Sequence, residues 1–474
     1  MKKGHLRYDL VVIGSGPAGQ KGAVQAAKLG KKVAVVERRS SVGGASAHTG
    51  TIPSKTLREA ALYLTGWDQR GLYGAGYRLK SKVTMPDLIR RLRITLKHET
   101  AVTVDQLRRN GVEVLHGTAA FAGPHSVDVR RAGATPMTLR AGRILVATGT
   151  RPLRPGGLSF DGRVVVDSDG ILGLGRVPRS LVVVGGGVIG LEYASIFSLL
   201  DVKVTLVDRR TRLLDFLDRE MLEELLCSLR SRGVRLLLGT DLRRIRLTTQ
   251  GRAAIRLEGG RSIEADAVLV AAGRIGNTGR LGLEKAGLRA DEKGRIRVSR
   301  GFRTDVLHIF AAGDVIGFPS LASTSMEQGR LAVRRAFGLR TPAPVSDFPF
   351  GVYSVPEISM AGRTESELSR AGRPFLVGRA PLRETARGQI LGLREGLLKM
   401  VFSRGGRRLL GVHIIGEGAT ELVHIGQAVM ALGGGLDYFM ESVFNYPTLA
   451  EAYKVAALDA SNRLGARRRD ASKA

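Results

Sequence analysis

VVIGSGPAGQKGAVQAAKLGKKVAVVERR, residues 11–39, returns as VVVGGGVIGLEYASIFSLLDVKVTLVDRR, residues 182–210. Every landmark moves by the same interval: Gly14, Gly16, Gly19 and Glu37 become Gly185, Gly187, Gly190 and Asp208. Each copy reads as a buried apolar strand, a glycine turn, a helix and a second strand ending in an acid, the opening of a doubly wound α/β sheet. The glycines have separate duties. The first permits a tight turn, the second lets a pyrophosphate approach the backbone, and the third lets the helix lie close on the strand. The phosphate then meets the helix N-terminus, where free amides and the macrodipole favour anions. The acid accepts hydrogen bonds from ribose hydroxyls. One such motif is weak evidence; two complete ones with the same acid offset predict two dinucleotide sites.

Two further apolar strands end in matching small-residue corners, RILVATG at 143–149 and AVLVAAG at 267–273, as expected of return strands passing near each dinucleotide. HIFAAGDVIGFPSLA adds a third apolar strand running into Gly313 and Asp314, and Asp314 alone also reads as a turn or cap residue. Past residue 345, with Pro342, Pro344 and Pro349 at the boundary, the pattern changes to LLKMVFS, LLGVHIIG and the helical TELVHIGQAVMAL, a separate α+β domain. The tail RLGARRRDASKA has no apolar period and reads as mobile.

The chain has 474 residues, enough for two to four domains. No apolar run is long enough to cross a membrane and the start reaches a strand too soon for a signal peptide, so a cytoplasmic location with no membrane partner is expected. Its one cysteine, Cys227, excludes an intramolecular disulfide and a cysteine-rich metal site, and no metal is expected. Leucines at helical spacing around Cys227 predict a packed helix residue. The net charge of +31, from 74 Lys and Arg against 43 Asp and Glu, is spread along the chain while aromatics are only 5%. That spread argues against nucleic acid as a partner. It leaves a basic surface that either steers polyanionic nucleotides or is simply solvated.

Together GSGPAG, VGGASAHTGTIPSK, GGGVIGLE, AAGRIGNT, AAGDVIG and FNYPTLAEAY resemble the pyridine nucleotide disulfide oxidoreductases over nearly the whole chain. The resemblance implies two nested Rossmann-like dinucleotide-binding domains and a C-terminal α+β dimerisation domain. FAD binding then falls to 1–150 and 276–345, NAD(P) binding to 151–275, and dimerisation to 346–474 with its basic tail. FAD takes the first fingerprint and the nicotinamide nucleotide the second.

Two departures carry most of the functional information. The family's redox loop places two cysteines before Ile-Pro-Ser-Lys; here those positions are Ser46 and Thr51. A hydroxyl forms neither a disulfide nor a charge-transfer thiolate, so reduction of a substrate by the thiol route is excluded. The family's His, followed five residues later by Glu, is here Tyr446 with Glu451 retained. Tyrosine, ionising near ~10, is a poor base at neutral pH. Thiols and their base are absent together, while Lys55, Glu192 and both fingerprints remain. HTGTIPSK, GDVIGFPSLAS and FNYPTLAEAY look most like the soluble Si-specific transhydrogenases within this family, which commonly keep one cysteine at the Ser46 position.

That likeness implies hydride transfer from NADPH to NAD through FAD, in ping-pong fashion at flavin N5; the alternative on the same scaffold is an NAD(P)H:quinone or dye oxidoreductase. Lys55 and Glu192 match the family's ion pair near N5, against readings as a surface helix residue and a packing salt bridge. Tyr446 and Glu451 are implied to approach the flavin from a partner subunit, in a homodimer or larger homo-oligomer, or to be an interface hydrogen bond. Further cofactor contacts are implied at Gly44, Ser46, Thr51, Ala119, Thr148, Gly149, Gly273, Arg274, Gly313, Asp314 and Ala322. His48 either lines the flavin or is a satisfied loop histidine. Asp208 suits an NAD ribose, whereas Arg209, Arg210 and Arg212 either pair with the 2′-phosphate of NADP or are ordinary surface charge, as Arg38 and Arg39 beside Glu37 suggest.

Overall fold

A computed structural model describes residues 6–343 and 347–471; Pro344, the basic tip at 1–5 and the last three residues of the tail lie outside them. The chain forms two compact units, one of Met1–Thr56, Ile89–Pro155 and Ala272–Val345, the other of Leu57–Leu88, Gly156–Ala271 and Ser346–Ala474. The chain opens with β1 (Leu6–Ile13), α1 (Pro17–Lys28), β2 (Val33–Glu37), α2 (Gly44–His48) and α3 (Thr51–Thr65). Next come α4 (Arg70–Tyr73), α5 (Met85–Arg109), β3 (Glu113–His116), β4 (Thr118–Gly123), β5 (Ser126–Arg130), β6 (Met137–Val146) and β7 (Thr150–Pro152). The second copy is built from β8 (Val165–Asp167), β9 (Ser180–Val184), α6 (Val188–Ser198), β10 (Lys203–Asp208), α7 (Arg219–Ser231) and β11 (Arg235–Leu238). It continues through β12 (Leu242–Leu247), β13 (Ala253–Leu257), β14 (Ser262–Ala265) and β15 (Ala267–Val270).

After these the chain adds β16 (Arg274–Gly276), β17 (Ile309–Ala311) and α8 (Ala322–Ala336). The last domain holds β18 (Phe350–Val352), β19 (Ile358–Gly362), α9 (Glu365–Arg370), β20 (Phe375–Pro381), α10 (Ala386–Ile390), β21 (Leu397–Ser403) and β22 (Leu409–Ile415). Helices α11 (Ala419–Ala431), α12 (Leu436–Glu441) and α13 (Glu451–Ala471) close it.

In the first unit the sheet order is β3-β2-β1-β6-β5-β4, with β17 also on β6. β1 lies parallel to both β2 and β6, pairing Val11 with Ala34 and with Ile144. Its last four residues, Leu10 to Ile13, are buried on both sides. Val11 and Ile13 join Val36, Phe121 and Ile144 in one core, while Leu10 and Val12 join Ala18, Ala23 and Leu331 in the other. Burial on both faces is why the strand reads as a continuous apolar run instead of an alternation. α1 and α8 cross almost backbone to backbone: a Cβ on Gly329 would stand 2.0 Å from the Ala18 carbonyl oxygen.

The second unit repeats the plan in the order β11-β10-β9-β15-β8, parallel throughout, beside the antiparallel β12-β13-β14. Its other sheet is antiparallel, β18-β19-β22-β21-β20. There Met400, Phe402, Val412 and Ile414 pack against Tyr453, Ala456, Ala457 and Ala460 of α13. A buried ionic cluster ties this sheet to α7. Lys399 Nζ lies 2.9 Å from both oxygens of Asp218, the α7 N-cap, and also pairs with Glu220 and Glu365. Arg379 reaches Glu220 at 2.9 Å and Glu365 at 3.3 Å. His413, fully buried, shares a hydrogen at Nε2 with the Arg363 carbonyl over 3.0 Å, and burial pushes its pKa down.

Cys227 corrects one expectation. The buried face of α7 is taken by Leu222, Leu225, Leu226 and Leu229, and Cys227 falls on the exposed side. Trp67, the only tryptophan, has the Arg70 guanidinium 4.9 Å and the Arg232 guanidinium 5.5 Å from its ring centre. Arg232 also donates to the Val355 carbonyl, and desolvation pulls its pKa down to about 10. Among the described residues no helix is long and apolar enough to cross a membrane, and no cluster of His, Cys, Asp and Glu is fit to hold a metal.

Candidate functional site

The first glycine turn sits between β1 and α1. Gly14 has φ +104°, and a Cβ there would stand 2.4 Å from the Ala147 carbonyl oxygen, so only glycine turns here. A Cβ on Gly19 would stand 1.9 Å from the Gly14 carbonyl oxygen, which is the close approach of helix to strand that the third glycine serves. Gly16 is different: the nearest atom to its Cβ position is the Gly44 Cα at 3.9 Å. Glu37, buried at the end of β2, accepts from Ser15 N (3.1 Å), Ser15 Oγ (2.5 Å) and Arg39 N (2.8 Å).

The first unit holds most of the expected cofactor contacts. Gly44 begins α2 and would bring a Cβ to 2.7 Å from the Gly16 Cα; Ser46 lies on α2. Thr51 begins α3, and Lys55 Nζ donates to Ser54 Oγ at 3.2 Å. His48, the last residue of α2, has Nε2 2.8 Å from the Val42 carbonyl oxygen. Ala119 is buried in β4. Thr148 and Gly149 follow β6, where Asn277 donates to both carbonyls. Arg274 donates to the Thr150 hydroxyl (2.8 Å), which donates to Asp314 (3.1 Å). Gly313 N donates to Gln328 Oε1 on α8, whose first residue is Ala322, and Gly273 (φ +121°) precedes β16.

Two hydroxyls in this unit, Thr49 Oγ1 and Thr148 Oγ1, are buried with no hydrogen-bond partner among the described residues. Buried polar atoms are rarely left so. Together with the open space at Gly16 and the free amides of α1, they fit a polar dinucleotide such as FAD.

The second turn reproduces the first. Gly185 has φ +105°, a Cβ on Gly190 would stand 1.8 Å from the Gly185 carbonyl oxygen, and no atom lies within 4 Å of a Cβ on Gly187. Asp208 ends β10, buried, and accepts from Gly186 N at 2.6 Å and Arg210 N at 2.8 Å. The Arg210 guanidinium closes on the same carboxylate with Nε 2.9 Å from Oδ1 and Nη2 2.7 Å from Oδ2. Burial alone would raise the Asp208 pKa, but the Arg210 guanidinium and the two amides outweigh it and hold the carboxyl below the usual range. Of the arginines beside it, Arg209 is exposed, and the side chain that meets Asp208 is that of Arg210. The signal was present as Asp-x-Arg, but Glu37-x-Arg39 carries the same pattern without the ion pair.

Glu192 on α6 is buried and its Oε1 accepts the Tyr353 amide at 2.9 Å. The neighbouring Tyr193 hydroxyl is buried with no partner among the described residues. In the C-terminal motif Tyr446 is 69% exposed, while Glu451 Oε2, at the start of α13, is buried with no partner among the described residues.

Two glycine-turn folds, an antiparallel C-terminal sheet and a loop before Ile52-Pro53-Ser54-Lys55 are the parts of one class of flavoprotein. The chain belongs to the pyridine nucleotide-disulphide oxidoreductases: that family's model matches residues 8–329, and the model of its dimerisation domain matches 348–457. Within it, the soluble pyridine nucleotide transhydrogenase of Mycobacterium bovis is 51% identical over 460 residues, covering 97% of this chain and 98% of that protein. The enzyme of the same name from Yersinia enterocolitica is 42% identical over 464 residues, covering 97% and 99%. Among solved structures, LpdA of Mycobacterium tuberculosis superposes with a TM-score of 0.88 at 27% identity over 96% of this chain and 99% of that one. The HOCl-induced flavoprotein disulfide reductase RclA of Escherichia coli gives 0.85 at 27% identity, over 95% and 99%.

Proposed function

We infer that this chain is an FAD-dependent pyridine nucleotide transhydrogenase that moves hydride between NADPH and NAD. The observation that carries this reading is the coexistence of two intact dinucleotide turns with Ser46 and Thr51 where a redox disulfide would stand. Nicotinamide nucleotides have a place to bind, and thiol substrates have no sulfur to meet. The relatives that share this chain's full length carry the same activity in their names. FAD, which Gly14, Gly16 and Gly19 would hold, would supply the two-electron store for hydride exchange between nicotinamides.

The chain's own residues bind, orient and balance charge. Gly14, Gly16 and Gly19 with the α1 N-terminus hold the FAD pyrophosphate and Glu37 its ribose. The remaining FAD contacts fall to Gly44, Ser46, Thr51, Ala119, Thr148, Gly149, Gly313, Asp314 and Ala322. Gly185, Gly187, Gly190 and Asp208 receive the nicotinamide nucleotide, and Gly273 and Arg274 are further cofactor contacts. Lys55 is the fixed cation for negative charge building on the flavin ring, and Glu192 is the catalytic acid of the second unit, its carboxylate accepting the Tyr353 amide. Donor and acceptor take turns at one site, so the kinetics are ping-pong. Tyr446 and Glu451 complete the site of a second copy, which makes the working form a homodimer. In domain terms, 1–150 with 276–345 carries FAD, 151–275 the nicotinamide nucleotide and 346–474 the dimer contact.

The test is direct. Purified FAD-loaded protein given NADPH and thio-NAD should form reduced thio-NAD; absence of that product, with rapid turnover of an added quinone, would move the reading to a quinone reductase.

A further inference from the structure

The two copies of the fold treat their ribose acids differently, although both carry an acid followed by two arginines. In each, the amide of the second arginine donates to the acid over the same 2.8 Å, Arg39 to Glu37 and Arg210 to Asp208. The difference lies one residue past the first glycine of the turn. Ser15 presents a hydroxyl that occupies Glu37 Oε2 at 2.5 Å. The equivalent position in the second copy is Gly186, which offers only its amide. A side chain there would press on Leu213, whose Cδ2 lies 2.7 Å from the position of a Cβ on Gly186. The space a hydroxyl fills in the first copy is filled in the second by the Arg210 guanidinium.

Counting acceptor sites shows what this does. A carboxylate offers about four lone-pair directions. Asp208 Oδ1 takes Arg210 N and Nε, and Oδ2 takes Gly186 N and Arg210 Nη2, so all are in use. A ribose hydroxyl can bond Asp208 only when the guanidinium leaves. The guanidinium is free to leave: its side chain is 48% exposed against 5% for Asp208, so the fork lies on the solvent side of a buried acid, where ion pairs are weak. A planar fork released beside an adenosine ribose is the group best shaped to take a phosphate in its place.

We propose that Arg210 is the residue that lets one site accept both nucleotides: it covers Asp208 when the site holds no ligand, yields the carboxylate to the ribose hydroxyls of NAD(H), and swings to the 2′-phosphate of NADP(H). The covered acid presents no net charge, so the 2′-phosphate meets no bare carboxylate on approach. This rests on the nucleotide-site reading above and adds the residue that decides between its two substrates.

The experiment is calorimetric titration of the FAD-loaded protein with 2′,5′-ADP and, separately, 5′-AMP, which carry the discriminating group without any hydride chemistry. Wild type should bind both. Arg210→Gln should weaken 2′,5′-ADP by about ten- to a hundredfold, the size of one lost charge-assisted fork, while leaving 5′-AMP equal or tighter. Arg210→Lys, which keeps the charge and loses the fork, should fall between. Equal weakening of both ligands, or unchanged 2′,5′-ADP affinity in Arg210→Gln, overturns the proposal. Wild type binding neither fragment removes the nucleotide-site reading itself, and the proposal with it.

Discussion

The two copies of the dinucleotide fold share a backbone and differ in how they are fastened. Their turns are nearly superimposable in the quantities that sterics control: φ +104° against +105° at the first glycine, and Cβ clearances of 1.9 against 1.8 Å at the third. Around that common turn the first copy is held by helix against helix, with α1 and α8 meeting at Gly22, Gly329 and Ala18. The helix that follows the second copy's acid, α7, is instead pinned at its N-cap by the buried Lys399 cluster. The turn geometry admits almost one solution and is repeated; the means of anchoring is open and has diverged.

The largest effect is expected at that ionic anchor. Lys399→Met leaves Asp218 a buried carboxylate without its cation, while Glu220 and Glu365 keep Arg379, a change that costs about 3–5 kcal/mol. Thermal melting should show it as a marked loss of stability; an unchanged midpoint would mean the cluster anchors nothing. Next come the paired third glycines. Gly19→Ala and Gly190→Ala each force a methyl into a carbonyl oxygen, with overpacking of about 1–3 kcal/mol at the turn. Gly19→Ala should purify with little flavin absorbance, whereas Gly190→Ala should stay yellow and lose nicotinamide nucleotide binding. If both variants lost the same ligand, the two turns would not have separate tenants.

A smaller effect tests the hydroxyl that separates the copies. Ser15→Ala removes a hydrogen bond to an ionised acid, worth about 1.5–3 kcal/mol, and should raise the dissociation constant for FAD on reconstitution of the apoprotein. The smallest is a pH effect in the second unit. His413 is buried and its pKa is depressed by desolvation, beside Asp218, Lys399 and Glu365. A histidine depressed in the folded state stays neutral there while the unfolded chain takes up a proton below its ordinary value of about 6.5. Stability is therefore full above that pH and falls as the pH drops through it, by at most ~1.4 kcal/mol per unit. The melting temperature of His413→Gln should depend less on pH between neutrality and mild acid; a parallel slope would rule His413 out.

Much of the architecture was legible because it follows from short-range rules. Glycine spacing placed both turns, and the apolar runs at 143–149 and 267–273 became β6 and β15, each parallel to the first strand of its copy. LLKMVFS and LLGVHIIG became the paired β21 and β22. What escaped was set by partners distant in sequence. Lys399 meets Asp218 across 181 residues, and no local pattern announces that contact. Arg210 looked interchangeable with Arg39 because the deciding residue, Ser15 or Gly186, lies 22 residues before each acid. The exposure of Cys227 was missed for a different reason: helical leucine spacing was read as burial of the whole helix instead of one face.

The lone indole at Trp67, flanked by the guanidiniums of Arg70 and Arg232, gives the molecule an intrinsic optical probe. Its emission comes from one place in the second unit, so a shift on heating or in denaturant reports loosening there without an added label. With FAD at the first turn, as proposed, flavin emission read on the same sample would follow the other unit, and the separation of the two curves would tell whether the units melt as one.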